Sequence, residues 1–393
     1  MTFPLKVQVL EIKQPLGNFY CASIPAKYLL EVCFSDKMQA NLNSNGVIEL
    51  QGTQRAISEN RLKQISEYIN RNDSAFPNSI ILAANYDITG NTLDDLENKD
   101  RWEIIAENGS LYLNIPSARK LAAIIDGQHR LFAFAKADRS RIDMDLLCSI
   151  YLDLPKAYQA QIFAVINSTQ RAVNKSLTYE LYGYNIDEES SSIWSPDKLA
   201  VYISRNLNID PESPFQSRIR ISPIVGDDLK ESLVAKNWKV STAVVVEGII
   251  RLISTNPRRD SNDLFKSSES NRSNLIKDSS PLRDLYLSGN DGVLYKLLIN
   301  YFKACENIFW NHANETSFIT KTIGIQALFD ILKIISNQAV YTDQKISISY
   351  FEARLSNGKN LDFSKVEYTQ ASGAGRRKIR EAILGACNID PKA

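Results

Sequence analysis

Ile124-Ile125-Asp126-Gly127-Gln128-His129-Arg130-Leu131 is the stretch on which the fold turns. An apolar run, Leu121 to Ile125, reads as a buried strand. It stops at Asp126-Gly127, and Leu131 to Ala135 reads as a helix that starts directly after the turn. A strand that breaks at glycine and re-enters as a helix aims backbone N–H groups at whatever lies above the turn, and an anion is the natural occupant. Gly127 lets a phosphate approach the main chain, and Arg130 can grip phosphate oxygens with a two-pronged guanidinium. His129 can donate to an oxygen or move a proton near neutral pH, and Gln128 offers a neutral donor and acceptor. The alternative is a surface turn with an incidental basic pair.

Working outward, Val7 to Ile12 alternates like an opening strand, and Ala26 to Val32 reads as a helix. Ser58 can cap a helix whose apolar positions Leu62, Ile65 and Ile69 share one face. Ser79 to Ala83 is a short strand. Asn108-Gly109 between two alternating segments is a hairpin signal. Met144 to Leu152 is a further strand, and Tyr158, Ile162, Val165 and Ile166 form a helical stripe followed by a polar segment, Asn167 to Lys175. The second half reads as mainly helical: Leu229 to Val234, Thr242 to Ser254, Val293 to Phe309, Gly324 to Ile335 and Arg377 to Leu384. The fold class expected is α+β, with residues 1–187 as a mixed domain and 188–393 as a mainly helical one. Asn256 to Pro281, rich in Ser, Asn, Arg and Asp, reads as an exposed linker.

The bulk numbers narrow the function classes. At 393 residues two domains are expected, and a formal net charge of +1 gives no global field for nucleic acid. Any DNA contact must come from a local patch. The five cysteines are scattered with no CxxC pair, which fits a reduced, cytoplasmic protein. No stretch reads as long and apolar enough to span a bilayer, and the opening residues do not read as a signal peptide. With two histidines in all, a multi-histidine metal site is not expected.

The pentapeptide Asp126-Gly127-Gln128-His129-Arg130 matches the signature for which the DGQHR-domain family is named, and the chain resembles that family. The surroundings agree: Arg55 and a helix upstream, then Phe76-Pro77-Asn78-Ser79-Ile80, and Ile166-Asn167-Ser168-Thr169-Gln170-Arg171 downstream. That order resembles the ParB N-terminal domain and sulfiredoxin, whose basic turn holds ATP phosphates. Gln128 stands in place of the sulfiredoxin cysteine, which excludes that sulfur chemistry. The resemblance implies a ParB/sulfiredoxin-like core that binds ATP or another nucleoside triphosphate through Gly127, Gln128, Arg130, Asn167, Gln170, Arg171 and Arg55, with His129, Asp126 and Arg130 as catalytic candidates. ParB-like proteins often place a Glu before the Asn to hold magnesium. Ile166 stands there, so magnesium lacks a clear ligand set and no protein-held metal is expected.

The family further implies DndB-like or DpdB-like service in DNA phosphorothioation or 7-deazaguanine modification, with other modification subunits and DNA as partners and no membrane. DndB-type members more often carry Arg where His129 stands, which leans away from that branch. Later blocks at Phe318 to Leu328 and at Ala371 to Lys378 extend the resemblance over most of the chain. Arg376, Arg377 and Lys378, after two glycines, are the candidate DNA contacts, against the alternative of a flexible basic tail. Arg218, Arg220, Lys230, Lys236 and Lys239 near Phe215 and Trp238 read as an ordinary solvated surface. The leading function is a nucleotide-binding, ATP-hydrolysing accessory subunit with slow turnover. The runner-up is a DNA-binding regulator or scaffold without turnover, and a ParB-like nuclease ranks last.

Overall fold

The computed structural model describes residues 2–36, 39–42, 48–51, 57–88, 92–93, 99–169, 175–176, 179, 189–220, 236–267, 269–368 and 373–391. The chain divides into two compact units, Met1–Arg171 and Ala172–Ala393. The division precedes the acidic, serine-rich boundary expected at 187/188.

The first unit opens with β1 (Leu5–Gln14) and β2 (Gly17–Pro25), a hairpin turned at Pro15-Leu16. Next come α1 (Ala26–Val32), β3 (Cys33–Phe34), the pair β4 (Gln39–Leu42) and β5 (Ile48–Gln51), and α2 (Glu59–Ile69). Ser58 caps α2, its Oγ accepting from Arg61 N at 3.4 Å. β6 (Ile80–Ala84) is followed by β7 (Glu103–Glu107) and β8 (Ser110–Ile115). Their turn places Asn108 and Gly109 both at positive φ, as a primed two-residue turn requires. β9 (Ala122–Asp126), α3 (Gln128–Ala133), β10 (Asp145–Leu152) and α4 (Lys156–Thr169) complete the unit.

Eight strands form one sheet in the order β3-β9-β6-β10-β2-β1-β8-β7. β6 runs parallel to β10 and β3 to β9, and the other pairs are antiparallel. β1 serves two neighbours: Leu5 to Val9 pair with β8, and Leu10 to Gln14 pair with β2. Both faces of the sheet centre are covered, which is why β9 is apolar from Ala122 to Ile125. Ala122 and Ile124 join a core with Ile24, Leu29, Leu82 and Phe134, while Ala123 and Ile125 join the opposite cluster with Tyr86, Tyr151 and Leu154. Each such isoleucine contributes about 1.5–3 kcal/mol on burial. α4 departs from its expected form. Tyr158 and Val165 of its stripe are 45% and 54% exposed, while Gln159 is buried and donates to Leu154 O at 2.7 Å. The helix also runs on through Asn167 to Thr169, so Asn167 lies in its last turn and not beyond it.

In the second unit the described helices are α5 (Pro196–Ile209), α6 (Thr242–Ile253), α7 (Pro257–Leu264), α8 (Arg283–Leu287), α9 (Asp291–Ile308), α10 (Thr322–Asn337), α11 (Ile348–Leu355) and α12 (Gly373–Ala386). A short parallel ladder, β11 (Ile219–Arg220) with β12 (Val240–Ser241), joins them. The helix expected at Leu229 to Val234 lies outside the described residues. Asn256 to Pro281 is not a linker. It carries α7, and four of its polar residues, Asp260, Asn262, Arg272 and Ser280, are buried; Asp260 and Arg283, just beyond the segment, are 1% and 2% exposed and join through two hydrogen bonds of 2.6 and 2.8 Å. A polar composition reads as loop, but here the charges satisfy one another inside the unit.

Thr322–Thr342 is long and apolar enough to cross a membrane by length and composition, contrary to the sequence reading. Its apolar side chains Ile325, Leu328, Phe329, Ile331, Leu332 and Ile335 are instead packed in the helical core.

Candidate functional site

The turn after β9 fixes the site. Gly127 has φ +98°, and a Cβ there would lie 2.6 Å from Ile80 Cδ1 and 3.1 Å from Arg130 Nη2. Both the left-handed backbone and the close packing exclude a side chain. α3 is only six residues long, so the turn offers an opening more than a helix dipole.

Arg130 faces back across the turn. Nη2 donates to Asp126 Oδ2 and to Ser79 O, each at 2.9 Å, and Nη1 donates to Asn78 O. One of its N–H groups on Nη1, and Nε–H, remain for a ligand. The arginine read as a phosphate clamp is therefore also the tie between the turn and the Asn78-Ser79 segment. Asp126 is engaged in the same ion pair, with side chains 30% and 20% exposed.

His129 is held on the other side. Its Nε2 accepts the Ser58 backbone N–H at 3.1 Å, so that nitrogen carries a lone pair and the ring proton sits on Nδ1. Burial, and then the neighbouring Arg61 charge, push the imidazole pKa below its ordinary value. His129 is thus a neutral ring at neutral pH. Gln128 is buried, and its Oε1 accepts from Ser35 Oγ at 2.6 Å, so this acceptor is already used.

These groups line a cleft of about 720 Å³ together with Pro77, Leu147, Phe163 and Ile166. Arg61 also lines it. Its side chain is exposed and makes no ion pair among the described residues. Sequence reading missed Arg61, although one signal was present. A cation in the first turn of a helix opposes the helix dipole, and that placement calls for a reason. Of the other nucleotide candidates, Arg55, Gln170 and Arg171 lie outside the described residues. Asn167 lies in the last turn of α4 directly after Ile166, which lines the cleft, and its side chain is outside the described set.

The DNA candidates separate. Arg376 forks onto Asp330, with Nε to Oδ2 at 2.6 Å and Nη2 to Oδ1, so it is committed to the fold. Arg377 is exposed and pairs with Glu381 at 3.6 Å, and Lys378 is partly exposed. Arg218 stacks over Trp238 at 4.4 Å and donates to Pro214 O and Asn237 Oδ1, a packing role in place of a solvated one. Among the described residues no group of three or more His, Cys, Asp and Glu side chains gathers as for a metal.

No curated protein and no solved structure matches the chain significantly. Despite His129, which had leaned the reading away from that branch, residues 7–194 match the family model of DndB, described as DNA-sulfur modification-associated, and over that span, short of the later blocks at 318–328 and 371–378, the chain is similar to that family.

Proposed function

We propose that the chain is a nucleoside-triphosphate-binding component of a DNA-sulfur-modification (phosphorothioation) system, acting beside other subunits of that system. The family similarity supports the system. The observation that carries the nucleotide is the cleft at Gly127, where a side-chain-free turn and the Arg61 guanidinium, which makes no ion pair among the described residues, border the same space. Arg61 supplies a charged contact to a phosphate oxygen, and Arg130 adds its remaining donors while holding the turn. The ParB/sulfiredoxin-like character of this unit belongs to the same proposal. Any magnesium is carried by the phosphates and water, in keeping with this ion's habit.

A second reading is favoured by a specific observation. The two candidates for a general base are both engaged, Asp126 by Arg130 and His129 Nε2 by Ser58. A cleft of this kind binds nucleotide as a switch and turns it over slowly, which suits a DNA-binding regulator or scaffold. Calorimetric titration of ATP, CTP and GTP into wild type and Arg61→Ala tests the shared core of both readings. A charge-assisted contact contributes roughly 1.5–3 kcal/mol, so Arg61→Ala should bind about ten- to a hundredfold more weakly. Equal affinity in the two proteins ends the role of Arg61, and no binding of any triphosphate ends the nucleotide reading. Single-turnover hydrolysis then separates enzyme from switch.

A further inference from the structure

A second cavity, of about 640 Å³, lies wholly within the helical unit. Three aromatic side chains line it: Trp194, Tyr202 and Tyr295. The Trp194 and Tyr202 rings stand 4.9 Å apart at 55°. Ser191, Asn206, Asp210 and Asp291 make up the polar lining, and among the described residues no Lys or Arg contributes.

The two carboxylates differ. Asp291 is closed off by Arg272, which is 3% exposed and donates to both its oxygens at 2.8 Å. Asp210 has no cationic partner among the described residues. Its Oδ1 accepts from Glu212 N at 2.9 Å and its Oδ2 from Tyr295 Oη at 2.8 Å. Each oxygen keeps a second lone pair, so a two-pronged donor still fits. Burial, and then the bond to Asp210, raise the Tyr295 pKa, so its hydroxyl remains a donor and does not add charge. Asp210 also stands at the C-terminal cap of α5, a helix with no basic residue in its last turn. The partial negative charge of that helix end is therefore unanswered and adds to the carboxylate. At the other wall the positive end of α9 is already met by Asp291, its first residue.

An aromatic wall with one uncompensated carboxylate attracts a cation, and a flat one above all. A guanidinium stacks on aromatic faces and forks onto a carboxylate, which an ammonium cannot do equally well. Ile209, 59% exposed, and the exposed Pro211 form an apolar rim that suits the backbone next to such a side chain. We infer that this cavity is a receptor for an arginine side chain presented by a partner polypeptide, seated between Trp194, Tyr202 and Tyr295 with its fork on Asp210.

The full chain can be titrated with three probes while the indole N–H resonance of Trp194 is followed by NMR. The probes are N-acetyl-arginine methylamide, its neutral citrulline counterpart and agmatine. Blocked arginine should shift the Trp194 signal, and citrulline should not. Asp210→Asn, which keeps the shape and removes the charge, should weaken arginine binding at least tenfold. Tyr202→Leu, at a ring already 37% exposed, should weaken it severalfold in a folded protein. Equal binding of citrulline and arginine, undiminished binding by Asp210→Asn, or no response up to the solubility limit of the probe overturns the assignment. Agmatine binding more tightly than blocked arginine overturns the polypeptide partner in favour of a free polyamine.

Discussion

Ser58 donates its backbone N–H to Nε2 of His129 at 3.1 Å, across 71 positions of sequence. One hydrogen bond thus joins the cap of α2 to the turn after β9, and it exists only while Nε2 is unprotonated. The lowered pKa of His129 gives this bond a pH signature. The unfolded chain binds the proton more readily than the folded one, so stability is full above the ordinary value of 6.5 and falls as pH drops from there through the lower folded value. Chemical denaturation at pH 7.5 and pH 5 should show this loss, and His129→Gln should flatten the part of the slope that His129 contributes. An unchanged slope in the variant would refute the link.

Gly127→Ala should be costly for two separate reasons. Alanine must adopt φ +98°, and its Cβ meets Ile80 Cδ1 at 2.6 Å. A strained left-handed residue costs about 1–3 kcal/mol before the clash is counted. Urea unfolding should place the loss at or above the upper end of that range, with nucleotide affinity falling in parallel.

Arg61 and Arg130 should part company under substitution. Arg61→Ala removes an exposed cation and should leave the melting temperature within a degree or two of wild type while weakening nucleotide binding. Arg130→Ala removes donors to Asn78 O, Ser79 O and Asp126 and should lower stability by about 2–3 kcal/mol as well as affinity. Arg130→Lys should not rescue it, because one ammonium cannot span those three acceptors. Thermal melts run beside the titrations decide between the two patterns.

These contrasts show where the sequence could be read and where it could not. The Asn108-Gly109 turn, the Ser58 cap and the β9 run each depend on residues a few positions apart, and each is where local chemistry puts it. The main-chain partners of Arg130 lie about fifty positions upstream, and no local pattern records a bond to a main-chain carbonyl. The same reason hid the order in Asn256 to Pro281, because a buried Asp260 and an exposed one are spelled alike. The stripe on α4 misled in the other direction: its period is real, but Tyr158 and Val165 face outward while Gln159 is buried.

The Asp260–Arg283 pair provides a separate stability test within the helical unit. Asp260→Asn takes from the buried Arg283 guanidinium its hydrogen-bonded carboxylate, leaving Asp278 at 4.0 Å as counter-charge, and should cost about 3 kcal/mol. Replacing both partners with apolar residues of similar volume should cost less than the single change. A double-mutant cycle by denaturation checks both statements.

For DNA, the commitment of Arg376 to Asp330 revises what the basic run can do. Two cations, Arg377 and Lys378, remain to meet phosphate. The slope of log affinity against log salt on duplex DNA should then be roughly −2. Reversing Arg377 and Lys378 to Glu should remove this salt-sensitive binding with the fold intact, whereas Arg376→Glu should loosen the seat of α12. Binding by the double reversal that equals wild type would return the segment to ordinary surface.

The double pairing of β1 also bears on how the chain leaves the ribosome. Its hairpin with β2 can close as soon as residue 25 is out, but Leu5 to Val9 then form an open edge until Leu111 to Ile115 have been synthesised. During translation the nascent chain carries an unpaired strand edge, the kind of surface that recruits other strands, so the interval between these two segments is a period of exposure to misassembly and to chaperone capture.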